Sequence, residues 1–312
     1  MCDDNLPGPH NRFFFQTFSQ LDRARDLIAG FLPGDVLAEI DLASLRLVSG
    51  SYIDDQLRLS QSDLLYEVDQ VGDSGSAALV YVLFEHKSVQ DRLTPFQMLK
   101  YMVRIWETRL RDGESLCPVI PMLLYHGENQ WKTARTMNDL LRPAGSLARF
   151  TPDFDIEILD LSQQTDESLR ERANLKAFLL LLKYIRRGDL AEKLPEILTL
   201  FATIGRQPSG LDCLKTVLIY LSSGTDQINR NQLIEAVQNT LQEQGEDLMP
   251  TIAQQWKQEG REEGRLAGQV QLLQRLLGVP ESTLEQLLSK PLARLEQDVQ
   301  RLQKDLDQRP RE

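Results

Sequence analysis

The sequence predicts an α/β protein: a mixed sheet flanked by helices, followed by a helical C-terminal region. Three observations predict it. Polar and apolar residues alternate over 62–69, a Gly- and Ser-rich stretch follows at 70–76, and 77–85 is an apolar, β-branched and aromatic run, which together make a hairpin signature. Two further apolar runs, PVIPMLLY at 118–125 and FDIEILDL at 154–161, are separated from the hairpin and from each other by helical patterns. Strands that alternate with helices in this way imply a mixed sheet. Beyond residue 166 only helical patterns remain. At 312 residues the chain has room for one α/β domain with a sizeable core and a helical appendage.

Taken in order, residues 12–32 place aromatic and aliphatic side chains at helical spacing and stop at Pro33-Gly34, giving one or two helices. A short helix is expected over 36–43 and a strand over 45–53. Thr94-Pro95 opens a helix, because proline suits the first turn, and Phe96, Leu99, Val103, Trp106 and Leu110 form its expected core face. A short helix near 137–141 lies between the last two strands. Helices follow over 169–185, 195–204, 211–222 and 231–244, broken at Arg187-Gly188-Asp189, 208–210 and 222–224. Gly260, Gly264 and Gly268 recur at every fourth position, which costs helix stability at each, so this stretch is either a flexible connector or a helix closely approached by a partner. Leu-rich, charged segments at 270–278 and 282–306 resemble a helical hairpin, open to self-association or to a simple tether. The expected organisation is an α/β core at 1–165, a helical extension at 166–258, a Gly-repeat connector at 259–268 and a C-terminal helical hairpin at 269–312.

Composition narrows the function. A net charge of −11 counts against a protein that merely coats nucleic acid, since phosphate binding needs a local excess of Lys and Arg. It leaves room for a localised basic cluster, or for a bound cation that reverses the local sign. Cys2, Cys117 and Cys213 are odd in number and widely spaced, which fits neither a disulfide framework nor a CxxC metal site. The acidic start, Met1 to Asp4, has no apolar stretch behind it, and the longest uniformly apolar run is 77–84. A cytoplasmic protein without a membrane span is expected.

The chemistry concentrates at the hairpin. If it is symmetric about Ser74, residue 63 faces residue 85, and Asp63 opposes Glu85 with Cβ atoms about 4.5–5.5 Å apart. Like charges so placed are destabilising unless a cation lies between them. Lys87 emerges on the face of Glu85, about 6.6 Å further on. Two carboxylates suit a hard cation such as Mg²⁺ or Mn²⁺, and a lysine beside it can position or deprotonate an attacking water. The bland alternative is that all three are ordinary charges at strand ends. His86 points to the other face and reads as a packed histidine, and His10 and His126 are too scattered to argue for zinc. Lys100, Arg104 and Arg111 share a helical face with Glu107, and either contact phosphates or form a solvated surface. Gln97, Lys100, Tyr101 and Arg104 are candidates to support the site or touch DNA.

Four blocks carry a resemblance: Ser62-Asp-Leu-Leu-Tyr66, Tyr81-Val-Leu-Phe-Glu-His-Lys-Ser88, Leu99-Lys-Tyr-Met-Val-Arg-Ile-Trp106 and Pro118-Val-Ile-Pro-Met-Leu-Leu-Tyr-His-Gly127. In this order they resemble the Rpn family of recombination-promoting nucleases, also described as YhgA-like transposases, within the PD-(D/E)XK superfamily. The resemblance covers residues 9–126 and, more loosely, the rest, including the Gly-every-fourth segment. It implies a restriction-endonuclease-like core, Mg²⁺-dependent DNA cleavage and a link to recombination or mobile elements. Asp63 would be the first metal ligand, Glu85 the second and Lys87 the catalytic lysine. Members often carry Gln at the position of Lys87, so this chain stands nearer the superfamily pattern, whereas His10-Asn11 replaces the family's usual His-Asp. The competing expectations are an inactive, transposase-related DNA-binding protein and a self-associating protein built on the C-terminal helices.

Overall fold

The computed structural model describes residues 8–48, 64–72, 77–85, 90–170, 175–205, 210–241, 243–288, 290 and 292–307. The chain divides into two compact units, Met1–Gly245 and Glu246–Glu312.

The first unit is built on a five-stranded mixed sheet in the order β1 (Ile40–Leu47), β2 (Leu64–Gln70), β3 (Ala77–Glu85), β4 (Val119–Tyr125), β5 (Glu157–Asp160). The pairs β1/β2 and β2/β3 are antiparallel, while β3/β4 and β4/β5 are parallel. A parallel neighbour requires a crossover, and α4 (Thr94–Arg111) supplies it between β3 and β4. In β4 every residue except Ile120 is buried, as befits a strand covered on both faces. The expected α/β class, with its mixed sheet and helical C-terminal region, is the observed one.

Alternation assigns the two faces of the sheet. Leu65, Leu79, Val119, Leu123 and Tyr125 pack with Met98, Met102 and Ile105 of α4 in one core cluster. From the intervening positions of β2, the fully buried Tyr66 donates its hydroxyl to the Phe18 carbonyl at 2.6 Å. Phe18 ends α1 (Pro9–Phe18), which is followed by α2 (Leu21–Phe31) and the short α3 (Gly34–Ala38). On the other side α1 packs against α9 (Gly210–Ser223), where the Phe13 ring stacks on Tyr220 at 4.1 Å. This joins the sheet to a helical block of α6 (Asp166–Arg170), α7 (Lys176–Tyr184), α8 (Leu190–Gly205), α9 and α10 (Arg230–Leu241). From Ala177 to Tyr184 every residue of α7 is buried, so it forms the centre of that block.

Three local expectations are corrected. The strand expected over 45–53 begins earlier, with β1 at Ile40, and the preceding helix stops at Ala38; residues 49–53 lie outside the described set. The hairpin register pairs Leu64 with Val82 and Asp69 with Ala77, a shift of two residues from symmetry about Ser74. The turn starts directly after Gln70, with Gly72 at φ +85°, so the chain returns a residue early. A shift of two keeps the paired positions of 64–69 and 77–82 on their expected faces, because the strand period is two. It does not support the direct opposition expected of Asp63 and Glu85, since this register carried one residue further would set position 63 against 83; Asp63 itself lies outside the described residues.

The third correction concerns α4. Its buried side is Met98, Met102 and Ile105, whereas Phe96 is 51% exposed and Leu110 58%. Both stripes are apolar at helical spacing, and the sheet covers the one through Met98, Met102 and Ile105. The Trp106 indole N–H donates to the Cys117 carbonyl at 2.8 Å, which holds this ring at the rim of the core cluster. Arg109, also buried, donates to the Ser115 carbonyl at 2.8 Å and pairs with Glu114 at 3.0 Å and Glu67 at 3.4 Å.

The second unit contains most of α11 (Glu243–Leu277), with α12 (Leu284–Leu288) and α13 (Leu292–Asp307). Leu266, Ala267, Val270, Leu287, Leu295 and Leu302 form its core. Gly278, at φ +68°, ends α11, and its N–H donates to the Arg275 carbonyl at 3.1 Å. The Gly-every-fourth segment is helical, and a Cβ at Gly260, Gly264 or Gly268 would meet nothing within 4 Å. Among the described residues no helix is long and apolar enough to cross a membrane.

Candidate functional site

The three parallel strands end together. Glu85, the last residue of β3, is in register with Tyr125, the last of β4, and Tyr125 with Asp160, the last of β5. In open α/β sheets ligands bind outside the carboxyl ends of parallel strands, where the following loops and helix starts gather. That edge is the candidate site.

Its floor is fixed by polar contacts that reach far along the chain. Tyr125 packs edge-on against Trp131 at 5.1 Å, and its hydroxyl accepts from Gln90 Nε2 at 3.3 Å. The same Gln90 donates to the Gln130 carbonyl at 2.5 Å and accepts the Lys132 N–H at 2.7 Å. It therefore clamps the segment after β4 onto the segment before α4. Asp160, only 7% exposed, accepts the Trp131 N–H at 2.7 Å and the Ser162 N–H at 2.9 Å. Buried carboxylates need such donors, so this one is committed to holding the loop. Asp91 does the same for the start of α4, accepting the Leu93 N–H and Gln97 Nε2, both at 2.8 Å.

Of the residues singled out in the sequence, Asp63, His86 and Lys87 lie outside the described residues, and Glu85 is placed by its backbone alone. The others are on α4. Gln97 is half-buried and tied to Asp91; Lys100 is exposed; Tyr101 packs against the core between α4 and the sheet; Arg104 is half-buried. Arg111 is exposed at the far end and pairs with Asp112 at 3.5 Å. Gln97 and Lys100 thus belong to the half of α4 that begins at the candidate edge, and Arg111 does not.

Two histidines judged scattered in sequence are neighbours in space. The His10 and His126 rings are 5.5 Å apart, His10 Nδ1 is 2.7 Å from the Tyr220 hydroxyl, and His126 is 1% exposed. They tie α1 to α9 and to the end of β4. Among the described residues no group of three His, Cys, Asp or Glu side chains could hold a metal. Asn11 is buried in α1, and its Oδ1 accepts no hydrogen bond among the described residues.

Sequence reasoning missed Gln90, Asp91, Tyr125 and Asp160. Asp160 carries a readable signal, an acid at the end of an apolar strand, whereas Gln90 carries none, since its partners are 35 to 42 residues away.

Residues 8–211 match the family model described as "Putative transposase, YhgA-like". The chain is 30% identical over 259 residues to the recombination-promoting nuclease RpnA of Escherichia coli K12, covering 81% of this chain and 85% of that protein. It is 28% identical to the recombination-promoting nuclease RpnC of the same strain, over 81% of this chain and 82% of that one. It is 26% identical to the inactive recombination-promoting nuclease-like protein RpnE, also of that strain, over 85% of this chain and 86% of that one. No solved structure matches.

Proposed function

The chain belongs to the YhgA-like transposase family, and from that premise we propose that it is a metal-dependent DNA endonuclease acting in recombination or on mobile elements. Asp63 and Glu85 hold a Mg²⁺ or Mn²⁺ ion in this reading, and Lys87 is the catalytic lysine. The observation that carries it is the position of Glu85, in register with Tyr125 and Asp160 along the carboxyl edge of three parallel strands. Relatives named recombination-promoting nucleases, aligned over four-fifths of the chain, support it.

Carboxylate oxygens are the donors a hard divalent cation takes, so the two acids fit the ion. When bound, the ion lowers the pKa of a coordinated water from about 15.7 toward neutrality and stabilises charge developing on phosphorus. The protein's own part is positional. Glu85 enters at a strand end, and the Gln90 clamp and the Asp91 cap fix residues 90–93 and the segment at Lys132 beside it. Lys87 positions or deprotonates the attacking water. On α4, Lys100 and Arg104 would meet DNA in this reading, while Gln97, tied to Asp91, and Tyr101, packed against the core, support the helix behind them. A cytoplasmic location goes with this reading.

The test is nicking of supercoiled plasmid in Mg²⁺ or Mn²⁺, with an EDTA control, for the wild type, Asp63→Asn, Glu85→Gln and Lys87→Ala. Each variant is expected to lose about 10²–10⁴-fold in rate, the range for removing a positioned catalytic group. Equal cleavage by all four proteins would defeat the assignment. The second reading, a catalytically inactive DNA-binding or self-associating protein, is favoured by the inactive relative and by Asn11 in place of the family's carboxylate. It predicts DNA binding without nicking in either metal.

A further inference from the structure

A groove of about 630 Å³ opens between the segment before α4 and the segment containing α5 (Met137–Leu141). Arg92, Lys132, Arg135 and Arg142 line it, with Thr133, Asn138 and a single acid, Asp139. Four cations against one carboxylate is a local reversal of sign in a chain of net charge −11.

The one acid is already in use. Its carboxylate accepts the Arg135 and Thr136 N–H groups, both at 3.0 Å, while its own N–H donates to Thr136 Oγ1 at 3.0 Å, closing a capping box on α5. Those two backbone hydrogen bonds hold the Asp139 carboxyl below the usual carboxylate range. None of the four cations forms an ion pair among the described residues, whereas Arg46, Arg109, Lys183 and Lys193 all do. Among the described residues the Arg92 guanidinium donates to the Leu140 carbonyl, at 3.4 Å.

The groove is also held in shape. Arg142 takes a left-handed conformation, φ 48° and ψ 55°, unique among the described non-glycine residues, and its N–H caps α5 on the Asn138 carbonyl at 2.8 Å. Such a conformation costs energy for a residue with a side chain, and it persists where the surroundings impose it. The Lys132 backbone is fixed by Gln90, which also reaches the Tyr125 hydroxyl, and Tyr125 is the strand partner of Glu85. A single clamp therefore links the groove to the candidate edge.

We infer that this groove binds the phosphate backbone of duplex DNA and feeds it to the edge formed by Glu85, Tyr125 and Asp160. The inference rests on the nuclease reading for its substrate, and its test is binding rather than cleavage. Arg135 feels the charges of Asp139 and Glu157, but among the described residues none of the four cations has an ion pair to break before it meets a phosphate. They carry affinity and no base sequence.

The experiment measures binding of a labelled 30-base-pair duplex to the full chain by fluorescence anisotropy in EDTA across a salt series. The protein carrying Lys132→Gln, Arg135→Gln and Arg142→Asn is compared with a charge-matched control, Lys215→Gln, Arg294→Gln and Lys304→Gln. Asparagine is chosen at 142 because it tolerates the left-handed conformation. Each cation that meets a phosphate contributes about 0.9 to the slope of log K against log salt. The groove variant is therefore expected to bind about tenfold weaker or worse, with the slope reduced by about 2 to 3, while the control matches wild type. Binding of the groove variant at the control's affinity and slope overturns the inference, as does a wild type that does not bind duplex. Preferential capture of a poly-glutamate peptide over the duplex overturns it too. If the triple variant unfolds, Lys132→Gln alone, an exposed position, must still flatten the slope by about 0.9. A wild type that binds through the groove and never nicks plasmid defeats the nuclease reading and leaves this one standing. Cleavage that persists while the groove variant binds normally does the reverse.

Discussion

Asp166→Ala should cost the first unit about 2–4 kcal/mol, toward the lower end of the range for removing one partner of a buried ion pair, because Asp166 is half-buried while Lys183 is buried. Asp166 Oδ1 lies 2.6 Å from Lys183 Nζ and Oδ2 lies 2.7 Å from Lys193 Nζ, while the Tyr184 hydroxyl is 2.9 Å from both oxygens. The Lys183 side chain is 7% exposed and keeps one other acceptor, the Gln164 carbonyl at 2.8 Å. Removing the carboxylate strands a buried ammonium and a phenol together. With domain stabilities of about 5–15 kcal/mol, such a loss shifts a urea midpoint by a large fraction of its value while leaving the slope unchanged. Chemical denaturation followed by circular dichroism reads it directly, and a loss below about 1 kcal/mol would refute the reasoning, since that is the worth of an exposed pair. The pH dependence has a definite sign. Burial opposes the charge on Asp166, but hydrogen bonds from Lys183, Lys193 and Tyr184 outweigh it and hold its carboxyl well below the usual carboxylate range. A depressed folded-state pKa contributes stability above the unfolded value, about 3.9, and that stability is lost as the pH falls through the folded value. Wild-type stability should therefore decline more steeply than that of Asp166→Asn below about pH 4.

Met102→Ala in α4 should cost about 2–5 kcal/mol by opening a cavity in the core, and Val103→Ala, on the exposed stripe, less than about 0.5; similar values for both would restore the stripe expected from sequence. Replacing Gly260, Gly264 and Gly268 together with Ala should raise the melting temperature of the full chain, by up to about 1 kcal/mol of helix propensity per site, because each added methyl meets open space. A fall in stability or a change in solution mass would instead reveal a close-packed partner on that face. Gln90→Ala should cost about 1–3 kcal/mol and speed hydrogen exchange at the Lys132 amide, and an unchanged exchange rate there would remove the clamp from the account.

Much of the architecture follows from properties each residue carries locally. Strand and helix identities at 77–85, 94–111 and 118–125 come from β-branched runs, a Pro-led helix start and apolar periodicity, and none needs a distant partner. The face of each strand position is equally local, because alternation is built into the extended backbone; the two-residue shift of the hairpin left it intact. The position of Glu85 at the end of an apolar strand was legible for the same reason. What the tertiary structure decided are choices between local patterns of equal merit, and meetings between residues far apart in sequence. Two apolar stripes ran along α4, and packing against the sheet buried the one through Met98, Met102 and Ile105. His10 met His126, Gln90 met Tyr125 and Lys132, and Arg92 joined three cations from 132–142. Periodicity cannot encode such meetings, because they depend on how the crossover and the loops close in space. The sheet edge could be read from the chain, whereas the basic groove beside it exists only once the chain has folded.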